Sequence, residues 1–113
     1  MRDADEILKA VFGFEHFRPG QREIVDAVIA GRDVLAIMPT GGGKSLCYQL
    51  PALVLGGLTV VVSPLIALMR DQVEALREAG VAAEALTSAN TPEETDRVME
   101  DLHAGELRLL YMA

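Results

Sequence analysis

Cysteine and histidine are scarce in this chain of 113 residues, and their scarcity excludes two kinds of site. Cys47 is the only cysteine, so no disulfide can form within the chain, which fits a reducing cytosol. The two histidines, His16 and His103, lie too far apart in sequence to suggest a metal site. We therefore expect Cys47 to be a buried structural thiol.

Long apolar runs are also absent. No run approaches the roughly 20 residues that a membrane-spanning helix needs. The first six residues, Met-Arg-Asp-Ala-Asp-Glu, are acidic and lack the apolar core of a signal peptide. Hydrophobic residues make up 50% and charged residues 24% of the chain, which is ordinary for one small globular domain. We expect a cytoplasmic protein that has no membrane partner.

Basic residues are outnumbered, 10 Lys and Arg against 17 Asp and Glu, and the net charge is −7. By itself this balance argues against nucleic-acid binding, because neutralising phosphates requires lysine and arginine. Much of the acidity lies in two helical segments, residues 3–6 and 93–101, which we interpret as solvated faces. Any contact with DNA must then depend on local geometry.

The most informative segment that is present reads Met-Pro-Thr-Gly-Gly-Gly-Lys-Ser, residues 38–45. It lies between an apolar run and a helical segment, as a phosphate-binding loop does. Glycines let backbone N–H groups approach an anion, and the following helix adds the positive end of its dipole. In such a loop Lys44 reaches the β- and γ-phosphates, and the Ser45 hydroxyl binds Mg²⁺. The strict pattern has glycine at the position of Met38, but Gly41, Gly42 and Gly43 are present.

Helical and extended patterns alternate along the chain and predict an α/β fold. Each predicted strand is apolar enough to be covered on both faces, which is typical of a parallel, doubly wound sheet. Pro51 is expected to end or kink the helix after the loop. Thr91 to Glu94 form a capping box with proline at the first helical position. The predicted strands are 34–38, 58–63, 81–86 and 107–112, and the predicted helices are 4–12, 19–31, 46–50, 65–79 and 92–104.

Three blocks resemble the RecQ family of superfamily 2 DNA helicases. Residues 12–21, Phe-Gly-Phe-Glu-His-Phe-Arg-Pro-Gly-Gln, are similar to the family's motif 0. Residues 38–50 are similar to motif I, in which this family has Met or Ala at the position of Met38. Residues 60–72, Val-Val-Val-Ser-Pro-Leu-Ile-Ala-Leu-Met-Arg-Asp-Gln, are similar to motif Ia. The resemblance implies an incomplete RecA-like domain of a P-loop NTPase.

The resemblance also implies roles for individual residues. Gln21 matches the glutamine that reads the adenine edge, since an amide both accepts from the exocyclic amine and donates to a ring nitrogen. Phe14 matches an aromatic that stacks on adenine, and Arg18 packs on its other face. Lys44 and Ser45 are the expected catalytic residues, and Ser45 is the Mg²⁺ ligand. The expected ATP contacts are Phe14, Arg18, Gln21, Thr40, Gly41, Gly42, Gly43, Lys44 and Ser45.

Motif Ia implies a second ligand, single-stranded or duplex DNA. Ser63, Pro64 and Leu65 are the candidate contacts, with the Ser63 hydroxyl and backbone amides at the start of the next helix holding a phosphate. The plainer interpretation, that Ser63-Pro64 only ends a strand, stays open. We expect the side chains of Leu65 and Leu68 to belong to the core.

Two features that a helicase needs to hydrolyse ATP are missing from the sequence. There is no Asp-Glu-Ala-His box to hold Mg²⁺ and activate water, and no second RecA-like domain with an arginine finger. We expect an N-terminal part of a 3′-to-5′ DNA helicase of repair or recombination, inactive alone, with residues 1–32 carrying adenine recognition and residues 33–113 the truncated domain. The alternatives are an RNA helicase of the same superfamily and a P-loop nucleotide-binding module without a nucleic-acid role.

Overall fold

The computed structural model describes residues 3–38 and 43–113. It divides into two compact units, Met1–Gly56 and Gly57–Ala113. No helix in the described ranges has the length and apolar character needed to cross a membrane. The proposed division at residue 32, which was based on motifs, stays a prediction.

Three helices form the first unit: α1 (Ala4–Ala10), α2 (Gln21–Ile29) and α3 (Leu46–Leu55). Helix α1 begins after Asp3, whose side chain accepts a hydrogen bond from the Glu6 N–H. Both α1 and α2 pack against α3. Their shared core consists of Ala4, Ile7, Leu8, Val25, Leu46 and Leu50. This core fixes the start of α3 and therefore the residues that lead into it.

The elements of the second unit in chain order are β1 (Thr59–Val62), α4 (Ile66–Glu78), β2 (Ala83–Leu86), α5 (Pro92–His103) and β3 (Leu109–Met112). The three strands form a parallel sheet with the order β1-β3-β2. Leu110 of β3 packs in a cluster with Val98 of α5, whereas the neighbouring Tyr111 donates a hydrogen bond to Gln72 of α4. Because successive strand residues point to opposite faces, α4 and α5 cover opposite faces of the sheet. The prediction of an α/β fold with a parallel sheet is confirmed.

The capping box that begins α5 is present in full. The Thr91 side chain accepts from the Glu94 N–H, and the Glu94 carboxylate accepts from the Thr91 N–H at 2.9 Å. The hydrogen bond from the Thr91 N–H to the Glu94 carboxylate lowers the pKa of Glu94, and the Thr91 side chain adds to this effect. The structure thus confirms the capping box that the sequence predicted at Thr91 to Glu94.

The predicted buried strand at residues 34–38 is wrong for the described structure. The segment is not a strand, and the side chains of Leu35 and Ile37 are 89% and 91% exposed. A strand exists only when a neighbouring strand completes its hydrogen-bond ladder. Within the described residues the sheet contains β1, β2 and β3 alone. Its apolar composition was therefore insufficient to make it a strand.

Helix α3 also differs from its prediction, because it continues through Pro51 to Leu55. Proline inside a helix removes one hydrogen bond and commonly costs about 3 kcal/mol or more. Pro51 is fully buried, as are its neighbours Leu50 and Ala52. We attribute the continuation of the helix to this apolar burial, which offsets the missing bond.

Candidate functional site

Gln21 is the first residue of α2, and its side chain is only 3% exposed. Gly20 precedes it with φ = 85°, a left-handed conformation that favours glycine. The helix therefore begins at Gln21 and not at Pro19, where the sequence predicts its start. The Arg18 N–H donates to Gln21 Oε1 at 2.8 Å, and the Gln21 N–H donates to the Arg18 carbonyl at 3.1 Å. This reciprocal pair of hydrogen bonds holds the Gln21 side chain against the backbone of its own motif.

The other end of the Gln21 amide reaches the glycine loop. Gln21 Nε2 donates to the Gly43 carbonyl at 3.1 Å, and the Cys47 thiol lies 3.8 Å from the same oxygen. Burial raises the pKa of the Cys47 thiol, which keeps it protonated and able to donate. The expectation of a buried structural cysteine agrees with this position. Gln21 and Gly43 belong to different predicted nucleotide motifs and lie 22 residues apart in sequence, and this side-chain hydrogen bond joins them.

Gly43 has φ = 79°, and glycine is needed there for two reasons. A side chain at this φ is strained. In addition, a Cβ at this position would clash with Gln21 Nε2, and it would lie 3.7 Å from Arg18 Cδ. The close approach of Gln21 to the backbone therefore depends on the missing Cβ of Gly43.

Lys44 and Ser45 lie between Gly43 and the first turn of α3. The Lys44 side chain is exposed. Ser45 precedes the helix without a side-chain capping hydrogen bond, while its carbonyl accepts from the Gln49 N–H at 3.0 Å. The Ser45 hydroxyl is therefore not used to cap α3. Thr40, Gly41 and Gly42 lie outside the described residues, and their roles stay predictions.

A cavity of about 270 Å³ lies beside Lys44 within the first unit. Its walls come from α2, from alternate residues of the extended segment before the loop, and from the start of α3. Apart from Lys44 and the Tyr48 hydroxyl, the lining is apolar: Ile24, Val28, Val34, Ala36, Met38 and Cys47. The Met38 side chain, which replaces the glycine of the strict motif, thus lines an apolar cavity. This lining suits packing rather than phosphate binding.

Phe14 and Arg18 lie in the connection between α1 and α2. The Phe14 side chain is 50% exposed, and its N–H donates to the Leu8 carbonyl at 3.1 Å. Arg18 is exposed and approaches Gly43, as described above. The half-exposed Phe14 ring and the exposed Arg18 side chain, whose Cδ lies near Gly43, provide the kinds of group that stack on a base. The structure brings Arg18, Gln21 and Gly43 together.

The second predicted site belongs to the second unit. The Ser63 hydroxyl accepts from the Leu65 N–H at 3.2 Å, and the Ser63 N–H donates to the Met112 carbonyl at 2.9 Å. The expectation that Leu65 and Leu68 are core residues is wrong, because their side chains are 58% and 47% exposed. Met69, the next residue, is buried at 1% exposure. The start of α4 therefore presents leucines to solvent next to Ser63 and Pro64.

One cluster was missed by the sequence reasoning. Glu84 of β2 is 5% exposed, and its Oε1 accepts from Arg77 at 2.9 Å and lies 3.7 Å from Arg97. Burial raises the pKa of Glu84, and the neighbouring Asp101 carboxyl adds to the increase. Because folding raises this pKa, the contribution of the carboxyl to folded stability is present below its ordinary value of 4.5 and declines as the pH rises above it. A single glutamate within an apolar strand was the available signal.

Comparison with known proteins identifies the family. Residues 18–113 match the family described as DEAD/DEAH box helicase. The chain is 50% identical over 107 residues to the ATP-dependent DNA helicase RecQ of Haemophilus influenzae, an alignment that covers 95% of this chain and 17% of that protein. It is 52% identical to the RecQ helicase of Pasteurella multocida, covering 96% of this chain and 17% of the relative, and 48% identical to that of Synechocystis, covering 96% and 23%.

The chain therefore spans about a fifth of the length of these relatives. Identity near one half extends over almost all of its residues, including the three blocks that carry the resemblance to RecQ helicases. The match to the family covers far more than half of the chain. The chain belongs to the DEAD/DEAH box helicase family and is similar to its RecQ members.

Proposed function

We propose that this chain supplies the adenine- and phosphate-binding part of an ATP-dependent DNA helicase that moves 3′ to 5′ and unwinds duplexes in repair or recombination. Three relatives of about 50% identity are named as ATP-dependent DNA helicases. Unwinding is a property of a whole helicase, and the Asp-Glu-Ala-His box that would supply a water-activating carboxylate does not occur in these 113 residues.

The observation that carries the proposal is the double attachment of the Gln21 amide. Its oxygen accepts from Arg18 N–H, and its nitrogen donates to the Gly43 carbonyl. A residue proposed to read adenine is therefore in direct contact with the loop proposed to hold the phosphates. ATP joins a base and a triphosphate in one molecule, so a site for it needs both parts to be held at a fixed spacing.

Lys44 and Ser45 suit the roles proposed for Mg·ATP. The exposed Lys44 ammonium can approach phosphate oxygens, and the Ser45 hydroxyl is not used to cap α3. When bound, Mg²⁺ supplies positive charge that neutralises the phosphates. The helix N-terminus adds to this favourable field. Thr40, Gly41 and Gly42 complete the proposed loop.

The proposed DNA contacts are Ser63, Pro64 and Leu65. Ser63 already holds the Leu65 N–H, which places the backbone at the start of α4 in a compact turn. The exposed apolar side chains of Leu65 and Leu68 next to this turn favour contact with sugars or bases over a purely structural end of β1. Contacts from backbone and hydroxyl groups do not require lysine, so they are compatible with the net charge of −7.

Single-stranded DNA should stimulate ATP hydrolysis by the intact protein. The physical reason is that DNA held by motif Ia and ATP held by motif I favour the same closed arrangement of a helicase. The measurement is steady-state ATPase activity with a DNA oligonucleotide, with an RNA of the same sequence, and without nucleic acid. Stimulation by RNA alone would favour the RNA-helicase alternative, and no stimulation by either would favour a nucleotide-binding module.

Replacing Gln21 with alanine should reduce the preference for ATP over GTP. The amide can accept from the adenine amine and donate to a ring nitrogen, whereas guanine places an acceptor at the amine position. A bidentate amide–base pair discriminates by about 1–3 kcal/mol, so the ATP:GTP affinity ratio should fall by about 5- to 150-fold. Competition binding with both nucleotides measures this ratio. Unchanged selectivity would remove Gln21 from base recognition.

A further inference from the structure

We infer that Gln21 is also a positioning residue for the phosphate loop, acting on the Gly43–Lys44 peptide whether or not a base is bound. The inference rests on the proposed function, because it concerns the same nucleotide site. It adds a second role to a residue that has been assigned only to base recognition.

The first step of the argument is that the backbone fixes the orientation of the Gln21 amide. The Arg18 N–H can only donate, so it must meet Gln21 Oε1, and the Gly43 carbonyl can only accept, so it must meet Nε2. A rotation that exchanged the two ends would break both hydrogen bonds. The side chain is 3% exposed, so water would not replace them freely.

The second step is that the hydrogen bonds found among the described residues use half of the amide's capacity. An amide oxygen accepts two hydrogen bonds and an amide nitrogen donates two, and Gly43 and Arg18 each use one. The second acceptor site of Oε1 and the second N–H of Nε2 would be sufficient to pair with the edge of adenine. Reading the base and holding the loop are therefore compatible in one side chain.

The third step concerns the direction of the Lys44 N–H. A trans peptide is planar, so its carbonyl and N–H point in opposite directions. Gln21 Nε2 and the Cys47 thiol hold the Gly43 oxygen on the side of α2 and α3. The Lys44 N–H is thereby turned to the opposite side of the loop. Backbone N–H groups are the donors that a phosphate loop supplies, so this anchoring pre-organises one of them.

The test separates phosphate binding from base binding by using inorganic tripolyphosphate, which has no base. In the intact protein Gln21→Met keeps a similar side-chain volume and removes both hydrogen bonds. We expect the affinity for Mg·tripolyphosphate to fall by roughly 2- to 12-fold, the effect of one net hydrogen bond. Affinity is measured by displacement of a fluorescent ATP analogue, with Gln21→Ala as a second variant.

Val98→Ala is the destabilising control, since Val98 is 3% exposed on α5 and belongs to the core of the second unit, away from Gln21 and Gly43 in the chain. It should lower the thermal stability of the protein and leave tripolyphosphate affinity close to that of the wild type. Two results would overturn the inference: Gln21→Met weakens ATP but leaves tripolyphosphate affinity unchanged, or Val98→Ala weakens tripolyphosphate as much as Gln21→Met does. Failure of the wild type to bind ATP at all would instead contradict the proposed function itself.

Discussion

ATP hydrolysis by the intact protein should fall by at least about 10²- to 10³-fold when Lys44 is replaced by alanine. The ammonium group is expected to stabilise the negative charge on the phosphates, and this stabilisation matters most in the transition state. The exposed Lys44 side chain makes no contribution to the core of the first unit. Stability should therefore be retained, and steady-state turnover together with thermal unfolding measures both effects.

Lys9 provides the control, because Lys9 and Lys44 are the two lysines of the chain. Lys9 is exposed on α1, so Lys9→Ala removes the same charge from the same unit without touching the glycine loop. We expect Lys9→Ala to hydrolyse ATP at the rate of the wild type. Normal turnover by Lys44→Ala, or an equal loss in both variants, would contradict the assignment of the phosphate loop.

Gly43→Ala should lower ATP affinity by roughly 10-fold or more. The left-handed conformation alone costs about 1–2 kcal/mol for a residue with a Cβ. The added methyl group would also clash with Gln21 Nε2, so the amide must move away from the Gly43 carbonyl. Binding of ATP, measured by calorimetry, should weaken because both the loop and the base-reading side chain are displaced.

A double variant distinguishes the clash from the backbone strain. In Gln21→Ala the side chain that meets the new methyl group is gone, so adding Gly43→Ala should cost less than it does in the wild type. The loss in the double variant should then be smaller than the sum of the two single losses. Strictly additive losses would mean that Gln21 and Gly43 act independently, contrary to the contact between them.

Local chemistry allowed the sequence to predict several parts of the fold. The capping box of α5 involves residues three apart, and the β-branched run of β1 favours a strand wherever it lies. The glycines, lysine and serine of the loop predicted a nucleotide site because their chemistry is contained in eight consecutive residues. The role of Gln21 in reading adenine was inferred from family resemblance, whereas its hydrogen bond to the Gly43 carbonyl was not predicted and could not be obtained from spacing.

The features that were missed depend on distant parts of the chain. Residues 34–38 have a strand-like composition, but only a pairing partner makes a strand, and composition does not report one. Leu65 and Leu68 were assigned to the core from hydrophobicity alone, whereas α4 buries Met69, Val73 and Leu76 instead. Glu84 is buried because Arg77 and Arg97, from two different helices, reach it. Tertiary packing decides each of these cases.

The most direct test of the account is calorimetric titration of the intact protein with Mg·ATP. Saturable binding at a single site, displaced by Mg·tripolyphosphate and greatly weakened by Lys44→Ala, is the predicted result. Absence of any binding at nucleotide concentrations in the millimolar range would contradict the claim that Gln21 and the Gly43–Ser45 segment belong to one nucleotide site.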